Sequence, residues 1–431
     1  MGRFYYQCSL ERNFSMDTNA LNVVWMVLCA IIVFFMQAGF AMLESGLVRS
    51  KNAVNVIMKN YIDMSIGSLG FFAVGFGLMF GVNQTGFFGA SNFLPQSGSA
   101  EFYAFMFFQM MFAATAATIV SGALAERIRY WPYIATAVLI TTLIYPIFGS
   151  WVWGGYESAT AGWLAGAGFK DFAGSSVVHA VGGWSALAGV IVLGPRLGRF
   201  RKSGAGGNVI PGHNLPMAAL GAFILWFGFF AFNAGSTFDA GGNLGAIVLN
   251  THLSGASGVV GATLLTLLIG RPLLTQYIIN GGLAGLVAIC ASADIISPLL
   301  AVVVGLVAGA IVVLGIDVLE RFRLDDAVGA VPVHAFAGTW GTLAVSFAQG
   351  FDVGQLAVQA IGAFAAFAWA FPVAWLAFKA IGALTHLRVS VSDERRGLDY
   401  SEHVEIGYPE FQEDLLHRGQ ENETQFRDLA A

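Results

Sequence analysis

Eleven long apolar segments run through this chain of 431 residues, and they restrict its fold more than any other feature. They lie near residues 22–44, 57–81, 102–123, 131–149, 172–194, 215–237, 243–269, 272–292, 297–319, 327–348 and 355–385. Runs of about 20 apolar residues can cross a bilayer as helices. In hydrocarbon only helices and closed barrels pair every backbone polar group, and these runs are too long and too uniformly apolar for barrel strands. We therefore expect an all-α polytopic membrane protein with eleven transmembrane helices, embedded in a lipid bilayer.

The overall composition supports a membrane protein and argues against other classes. Hydrophobic residues make up 56% of the chain and charged residues only 11%, whereas soluble domains carry about 25% charged residues. The net charge of -5 argues against nucleic acid as a partner. Cys8, Cys29 and Cys290 form neither a metal-binding motif nor a disulfide framework. No nucleotide-binding motif precedes a helix, so we expect no cofactor and no metal.

Lysine and arginine residues predict how the segments are oriented. They concentrate in the loops after segments 1, 3, 5, 7 and 9, at Arg49, Lys51, Arg127, Arg129, Arg196, Arg199, Arg201, Lys202, Arg271, Arg321 and Arg323. The opposite loops carry little positive charge beyond Lys170. Because positively charged loops stay in the cytoplasm, we expect the N-terminus outside and the C-terminus in the cytoplasm, in the cell (inner) membrane.

Polar stretches flank the apolar region and divide the chain into three parts. Residues 1–20 are predicted to be an N-terminal extramembrane tail, in which Met16 is an alternative start. The eleven helices occupy residues 21–387. Residues 388–431 carry charges of both signs and are too few to bury a core of their own. We expect this last stretch to be a cytoplasmic regulatory tail.

One motif occurs twice, in the fifth and tenth segments. Residues 171–183 and 326–338 both read D-x-x-G-x-x-x-V-H-A-x-x-G, with His179 in the first copy and His334 in the second. Aspartate and histidine are scarce in these segments, so their equal spacing is the informative part of the match. Five spans separate the copies, which therefore cross in opposite directions and define an inverted repeat of five plus five helices, with the eleventh helix extra. Inverted repeats place a site near the midplane at their interface, where we expect the two histidines to meet.

Two facing imidazoles in an apolar pore restrict the chemistry. A lone intramembrane histidine is often simply hydrogen-bonded to a carbonyl, and His252, which has no symmetry partner, is interpreted in that way. For His179 and His334, burial disfavours the imidazolium form. One proton shared between facing nitrogens leaves each ring able to donate or accept on its other side. Such a pair suits a small polar species or a proton relay, and it suits a metal poorly because no third ligand is evident.

Aromatic residues predict a cation site near the outer side. Most of the 37 phenylalanines are expected to lie in the core or to face lipid. Phe112, Phe232 and Trp153 are exceptions of interest, because aromatic faces attract cations within about 6 Å of the ring. Ser236, one turn beyond Phe232, offers a hydroxyl that can accept a hydrogen bond from a cation.

Asp171 stands where the fifth segment begins, and three roles are open to it. The simplest role is a helix cap, worth about 1 kcal/mol. The others are a direct cation ligand, and a carboxylate that holds nearby carbonyl groups towards the cation. Asp326 is expected to cap the tenth segment in the equivalent position.

Several short stretches together resemble the ammonium transporter (Amt/Mep/Rh) family, in particular bacterial-type Amt proteins. They are 44–49 (ESGLVR) with 51–52 (KN), 122–127 (GALAER), 171–174 (DFAG) with 177–179 (VVH), 232–236 (FNAGS), and 333–334 (VH) followed by Gly338. The resemblance extends from about residue 20 to 408. It implies an eleven-helix fold, a homotrimer and one narrow pore per protomer.

The resemblance also implies a role for each residue singled out above. Phe112, Trp153 and Ser236 would form an outer cation site that Asp171 orients. Phe112 would stack above Phe232 as a gate.

Below this gate the resemblance places His179 and His334 as a pore-lining pair. Ammonium would be recruited as a cation, give up its proton, and pass the dry pore as ammonia. The chain departs from the usual family pattern at Phe229, His252 and Ala335, none of which removes a pore residue.

Three alternatives stand beside an ammonium transporter. Residues 405–411 (EIGYPEF) resemble members whose tails lead into signalling domains, so the protein could be an ammonium sensor, or be controlled at its tail by a PII-type signal protein or signalling domain. An Rh-like neutral gas channel is the second alternative, although Trp153 and Ser236 argue against it. A membrane enzyme, the third, would need a nucleophile, metal or cofactor motif, and we find none in the sequence.

Overall fold

The computed structural model describes residues 18–156, 160–201 and 207–409. Most of the predicted N-terminal tail, including Met16, and the tail beyond residue 409 lie outside these residues. Within the described part, each predicted apolar segment contains one main helix. In chain order these are α1 (Asn19–Leu47), α2 (Ser50–Phe80), α3 (Ala100–Ala123), α4 (Tyr130–Trp153), α5 (Ser175–Leu193), α6 (Leu215–Gly235), α7 (Leu244–Leu268), α8 (Thr275–Ile289), α9 (Pro298–Arg321), α10 (Val331–Phe336 continued by Ala337–Ala344 and Val345–Phe347) and α11 (Val353–Leu384).

The helices confirm the expected fold class. Over the described ranges the chain contains isolated β-bridges but no β-strand. Nine of the helices there are long and apolar enough to cross a membrane, and α8 and α10 are shorter. The protein is therefore an all-helical, multi-pass membrane protein. Eleven crossings, an outer N-terminus and a cytoplasmic C-terminus remain predictions.

The helix limits differ most from the predicted ones where polar residues are buried. α2 begins at Ser50 rather than near residue 57. The sequence prediction excluded the polar residues at the start of this stretch, yet Asn52 and Asn55 are buried. α5 begins at Ser175 rather than near residue 172, because residues 171–174 form a turn that caps it.

The two copies of the repeated motif meet where α5 contacts α10. A Cβ atom on Gly183 would lie 2.3 Å from the backbone nitrogen of Ala335. On the other copy, a Cβ atom on Gly338 would lie 2.5 Å from the backbone oxygen of Ser175. Real Cβ atoms essentially never approach other atoms so closely. The last glycine of each motif therefore permits the close contact of the two helices.

Long helices on several sides support this contact. α1 lies along α6, α7 lies along α9, and α11 packs against α5. α3 is almost entirely buried and contacts α1, α2 and α5. The helices that carry the predicted pore residues therefore lie together inside the bundle.

Buried charges join the loops at the predicted cytoplasmic side. Arg196 donates to Glu126 at 2.7 Å and to Asp325 at 2.8 Å, and all three side chains are buried. Glu126 also pairs with Arg49. Although burial opposes it, hydrogen bonding by Arg196 holds the pKa of Asp325 well below its usual value. The cluster connects the loops that follow α1, α3, α5 and α9.

The described part of the tail is docked onto these loops. Its two short helices are Val391–Arg396 and Leu398–His403. Glu394 accepts a hydrogen bond from the backbone N–H of Leu197 at 2.6 Å, and Asp399 accepts one from that of Asn55 at 2.8 Å. The part of the predicted tail within residues 388–409 thus contacts the helical bundle through Glu394 and Asp399.

Candidate substrate pore

The two histidines of the repeated motif lie side by side in the bundle. Each is carried by a π-helical segment, Ser175–Ala180 for His179 and Val331–Phe336 for His334. Their Nδ1 atoms are 3.2 Å apart, and the ring planes meet at 21°. The side chains are 0% and 7% exposed. The structure therefore brings together two residues that are 155 positions apart in the sequence.

The bond between these rings fixes how protons are distributed. Only one of the two Nδ1 atoms can carry the shared hydrogen, because the other must accept it. The ring that donates through Nδ1 then presents an accepting Nε2, and the other ring presents a donating Nε2. The Nε2 atom of His179 is buried and has no hydrogen-bond partner in the described protein. The pair can thus both donate to and accept from a small polar molecule.

Asp171 and a left-handed glycine shape the start of α5. The carboxylate accepts backbone N–H groups from Gly174 at 3.0 Å, from Ser176 at 2.8 Å and from Val177 at 2.8 Å. Gly174 has a φ of 108°, which suits glycine. The backbone oxygen of Asp171 accepts from the indole N–H of Trp153 at 2.7 Å. The geometry fits a cap that also positions Trp153, because the carboxylate oxygens are already engaged by backbone donors.

Asp326 forms the same cap at the start of α10. Its carboxylate accepts N–H groups from Gly329 at 2.9 Å and Val331 at 2.7 Å, and Gly329 has a φ of 85°. Burial raises the pKa of Asp326 above its usual value and raises that of Asp171 to about 6. The two caps therefore share the same pattern of hydrogen bonds to backbone N–H groups.

Two stacked phenylalanine rings lie on the predicted outer side of the histidines. Phe112 and Phe232 stack with centroids 3.9 Å apart and planes at 15°. Both are fully buried. Below them, the ring of His179 lies 5.4 Å from that of Phe232, and above them Trp153 lies 6.2 Å from Phe112. The stack leaves no room for an ion between its rings, so passage requires a ring to rotate.

An outer cavity of about 310 Å³ opens above this stack. Its lining includes Phe112, Trp153 and Ser236, the three residues predicted for a cation site. The hydroxyl of Ser236 donates to the backbone oxygen of Phe232 at 2.9 Å. Because its hydrogen is used in that bond, the Ser236 oxygen can present a lone pair to a cation.

Some residues of the path were not predicted. Gln109 lines the outer cavity, and its Oε1 atom is buried without a partner in the described protein. On the inner side, a cavity of about 20 Å³ is lined by His334, Glu44 and Asn280, among others. In the sequence, a single polar residue in an apolar helix shows no periodic pattern. Such a residue can be recognised as part of the site only from its contacts in the folded structure.

Other polar candidates are not among the residues that line these two cavities. His252 is exposed on α7 beside Trp226, at 5.6 Å between ring centroids. Cys29 and Cys290 are buried free thiols. Among the described residues, no three His, Cys, Asp or Glu side chains lie close enough together to hold a metal ion. The histidine pair therefore has no third protein ligand in that part of the chain.

Comparison with known proteins agrees with this architecture. The sequence model of the Ammonium Transporter Family matches residues 24–408. The chain is 44% identical over 422 residues to the protein named Ammonium transporter Amt2 of Archaeoglobus fulgidus, covering 91% of this chain and 89% of that protein. The family and this relative are both described as ammonium transporters, which argues against the membrane-enzyme alternative.

Solved structures give the same result. The structure described as Sensor Amt Protein superposes with a TM-score of 0.87 at 41% identity, covering 90% of this chain and 99% of that one. Mep2 of Saccharomyces cerevisiae superposes with a TM-score of 0.76 at 27% identity, covering 86% of this chain and 88% of that one. By sequence and by fold, the chain belongs to the ammonium transporter family.

Proposed function

We propose that the protein takes up ammonium at an outer site and passes it through the cell (inner) membrane as ammonia along His179 and His334. The observation that carries this proposal is the pair itself, two buried imidazoles bonded to each other beneath a closed aromatic stack. Family membership supports ammonium as the substrate class.

At the outer site the cation is held by rings and one hydroxyl. Trp153 and Phe112 lie 6.2 Å apart in the lining of the outer cavity, so one small cation can contact both faces. The Ser236 oxygen accepts one of its N–H groups. Asp171 positions the site without contacting the cation. Its backbone oxygen accepts a hydrogen bond from the indole of Trp153, and its carboxylate caps α5.

The stack below this site favours loss of the proton. An ion that leaves water without a counter-charge pays a large desolvation cost, whereas a neutral polar molecule pays far less. Phe112 and Phe232 act as a gate that opens by ring rotation and admits ammonia. The proton is released to water in the outer cavity in this step, and it then crosses the membrane separately from ammonia.

The histidine pair then hydrogen-bonds to the ammonia molecule. Ammonia has three N–H donors and one lone pair, and the pair offers one acceptor and one donor on its outward nitrogens. The nitrogens of the two imidazoles lower the free-energy cost of moving ammonia through the apolar interior. They carry no charge that would trap the molecule.

We propose that the protein assembles as a homotrimer, as the family resemblance implies. A groove of about 620 Å³ between α1 and α2 supports an assembly of this kind. Its lining is mostly apolar but includes the exposed residues Tyr61 and Ser65. Polar groups within a membrane are rarely left facing lipid, and a neighbouring protomer would cover them.

An ammonium sensor is the second candidate function. It is favoured by the 41% identity to the structure described as Sensor Amt Protein. The docked tail segment at 388–409 supports a signalling role, because a PII-type signal protein or signalling domain could read its position from the cytoplasm. In that case binding at the outer site would occur without appreciable flux.

One experiment separates these functions. Purified protein in liposomes is given an inward ammonium gradient, and current and labelled methylammonium uptake are recorded together. We expect uptake accompanied by current, with the proton crossing separately from ammonia. Uptake without current would favour the neutral gas channel. Ammonium binding with neither signal would favour the sensor and contradict the proposal.

A further inference from the structure

Four titratable side chains form a buried group beside the pore that the proposed mechanism does not use. They are Glu44 on α1, Lys59 and Asp63 on α2, and Tyr133 on α4. None is more than 2% exposed. Ionisable residues at membrane depth are costly and are usually functional.

Hydrogen bonds satisfy one end of this group. Asp63 accepts from the hydroxyl of Tyr133 at 2.5 Å and from the amide of Gln37 at 2.8 Å. At the other end, Glu44 accepts from the side chain of Asn60 at 3.0 Å. The two carboxylates therefore differ, since Asp63 is enclosed by donors and Glu44 lies at the edge of the inner cavity.

The charges of the group do not balance. Two carboxylates face one ammonium, that of Lys59, whose Nζ atom has no hydrogen-bond partner in the described protein. Glu126 and Arg127 also act electrostatically on Lys59, and their charges are of opposite sign. With all groups ionised, one negative charge remains, and a buried unpaired charge requires either a cation or a proton.

The cavity next to Glu44 fits one small cation. Its volume is about 20 Å³, and a molecule the size of water needs about 10–15 Å³ measured in this way. Ammonium is of similar size. The cavity is bounded by Glu44 on one side and His334 on another, directly on the inner side of the histidine pair.

We propose that this cavity is an inner ammonium-binding site, in which the Glu44 carboxylate accepts N–H groups of the cation. The inference rests on the proposed function, since it places the site on the exit side of the same path. Glu44 and the outer Ser236 then each bind ammonium, at opposite ends of the path. Ammonia that has passed the histidines takes up a proton from cytoplasmic water to form the cation at the inner end. The bound cation balances the one negative charge of the two carboxylates that Lys59 does not neutralise.

Thallium(I) tests the site, because it is a monovalent ion of similar radius to ammonium and scatters anomalously. Crystals of the full-length protein are soaked in thallium(I) acetate, for the wild type and for Glu44→Gln. We expect an anomalous peak between Glu44 and His334 in the wild type that disappears in the variant. A peak beside Trp153 and Ser236 should persist in both and verifies the fold of the variant.

An absent inner peak in the wild type, or one that survives in Glu44→Gln, would overturn the inference. An absent peak in the wild type would mean that Glu44 holds a proton. A peak that survives in Glu44→Gln would mean that another group binds the ion. This outcome can be distinguished from that of the liposome experiment. An inner peak without flux would support the inner site in a protein that acts as a sensor. Flux without an inner peak would support transport and contradict the inner site.

Transport kinetics give a second measurement that does not need crystals. In oriented liposomes, Glu44→Gln should raise the KM for ammonium efflux from the cytoplasmic face about tenfold and change the KM for uptake less than twofold. Glu320→Gln removes a carboxylate at the cytoplasmic end of α9, away from the cavity, and should change neither value. Equal KM values for Glu44→Gln and the wild type in efflux would contradict the proposal.

Discussion

At the outer mouth, the hydroxyl group of Ser236 accepts an N–H group of the cation in the proposed site. Ser236→Ala removes this hydroxyl together with its hydrogen bond to the backbone oxygen of Phe232. A hydrogen bond to a charged group contributes about 1.5–3 kcal/mol, so we expect the KM for methylammonium uptake to rise about tenfold or more. Uptake is measured in liposomes over a range of concentrations. Ser236→Thr keeps the hydroxyl and should stay near the wild-type value, and an unchanged KM in Ser236→Ala would remove this residue from the site.

Among the helices, the contact between α5 and α10 depends on two glycines. In Gly183→Ala the added methyl group would lie 2.3 Å from the backbone of Ala335, so the helices must separate. Overpacking of this kind costs about 1–3 kcal/mol. Because the same contact holds the histidines together, we expect a lower melting temperature and at least a tenfold loss of uptake.

Gly245→Ala is the matched control for that substitution. A Cβ atom at Gly245, in the first turn of α7, meets nothing within 4 Å. We expect this variant to keep the stability and uptake of the wild type. Equal behaviour of Gly183→Ala and Gly245→Ala would show that the close helix contact is not what positions the histidines.

The docked tail helix is predicted to respond to pH through Asp399. Burial raises the pKa of Asp399 to about 6 in the docked state, whereas a free aspartate titrates near 4. The docked state therefore binds the proton more tightly, so protonation stabilises docking, and this contribution is lost as pH rises from about 4 to about 6. His403, whose pKa is lowered by burial, contributes with the opposite sign.

Comparison with Asp399→Asn isolates the aspartate. Hydrogen exchange of residues 398–403, corrected for intrinsic rates, measures docking between pH 4 and pH 7. Relative to the variant, the wild-type tail should be better protected at pH 5 than at pH 7. A wild-type-to-variant ratio that does not change with pH would show that Asp399 is not the responding group.

For the whole molecule, the orientation in the membrane can be tested with cysteine labelling. Cys29 and Cys290 are buried, so Cys8→Ser provides an unreactive background. In that background Gln96→Cys, in the exposed loop after α2, should react with an impermeant maleimide on intact cells. Arg321→Cys, exposed at the end of α9, should react only after permeabilisation. The reverse pattern would invert the predicted topology.

Much of the fold could be predicted because lipid leaves few alternatives. Apolar runs must become helices, and the ends of α3, α6 and α7 agree with the predicted limits to within two residues. The prediction was weakest for α2, where a hydropathy count excludes polar residues. In α2 those residues are buried against other helices, and contacts between helices cannot be read from local composition.

The site divides in the same way. The histidine pair and both aspartate caps could be located from the repeated motif, because its spacing and inverted symmetry together predict which residues come into contact. Gln109 and Glu44 have no such repeat. Their positions beside the outer and inner cavities depend on how whole helices pack, which the sequence alone does not express. The role of each pore residue remains a proposal until it is measured.

The central claim is that two bonded imidazoles carry ammonia through a dry pore. Labelled methylammonium uptake into liposomes by His334→Ala, beside the wild type, tests it most directly, with ammonium-induced thermal stabilisation as a check that the outer site still binds. We predict at least a tenfold loss of uptake with binding retained, because His179 loses its partner at 3.2 Å. Wild-type uptake by His334→Ala would contradict the account.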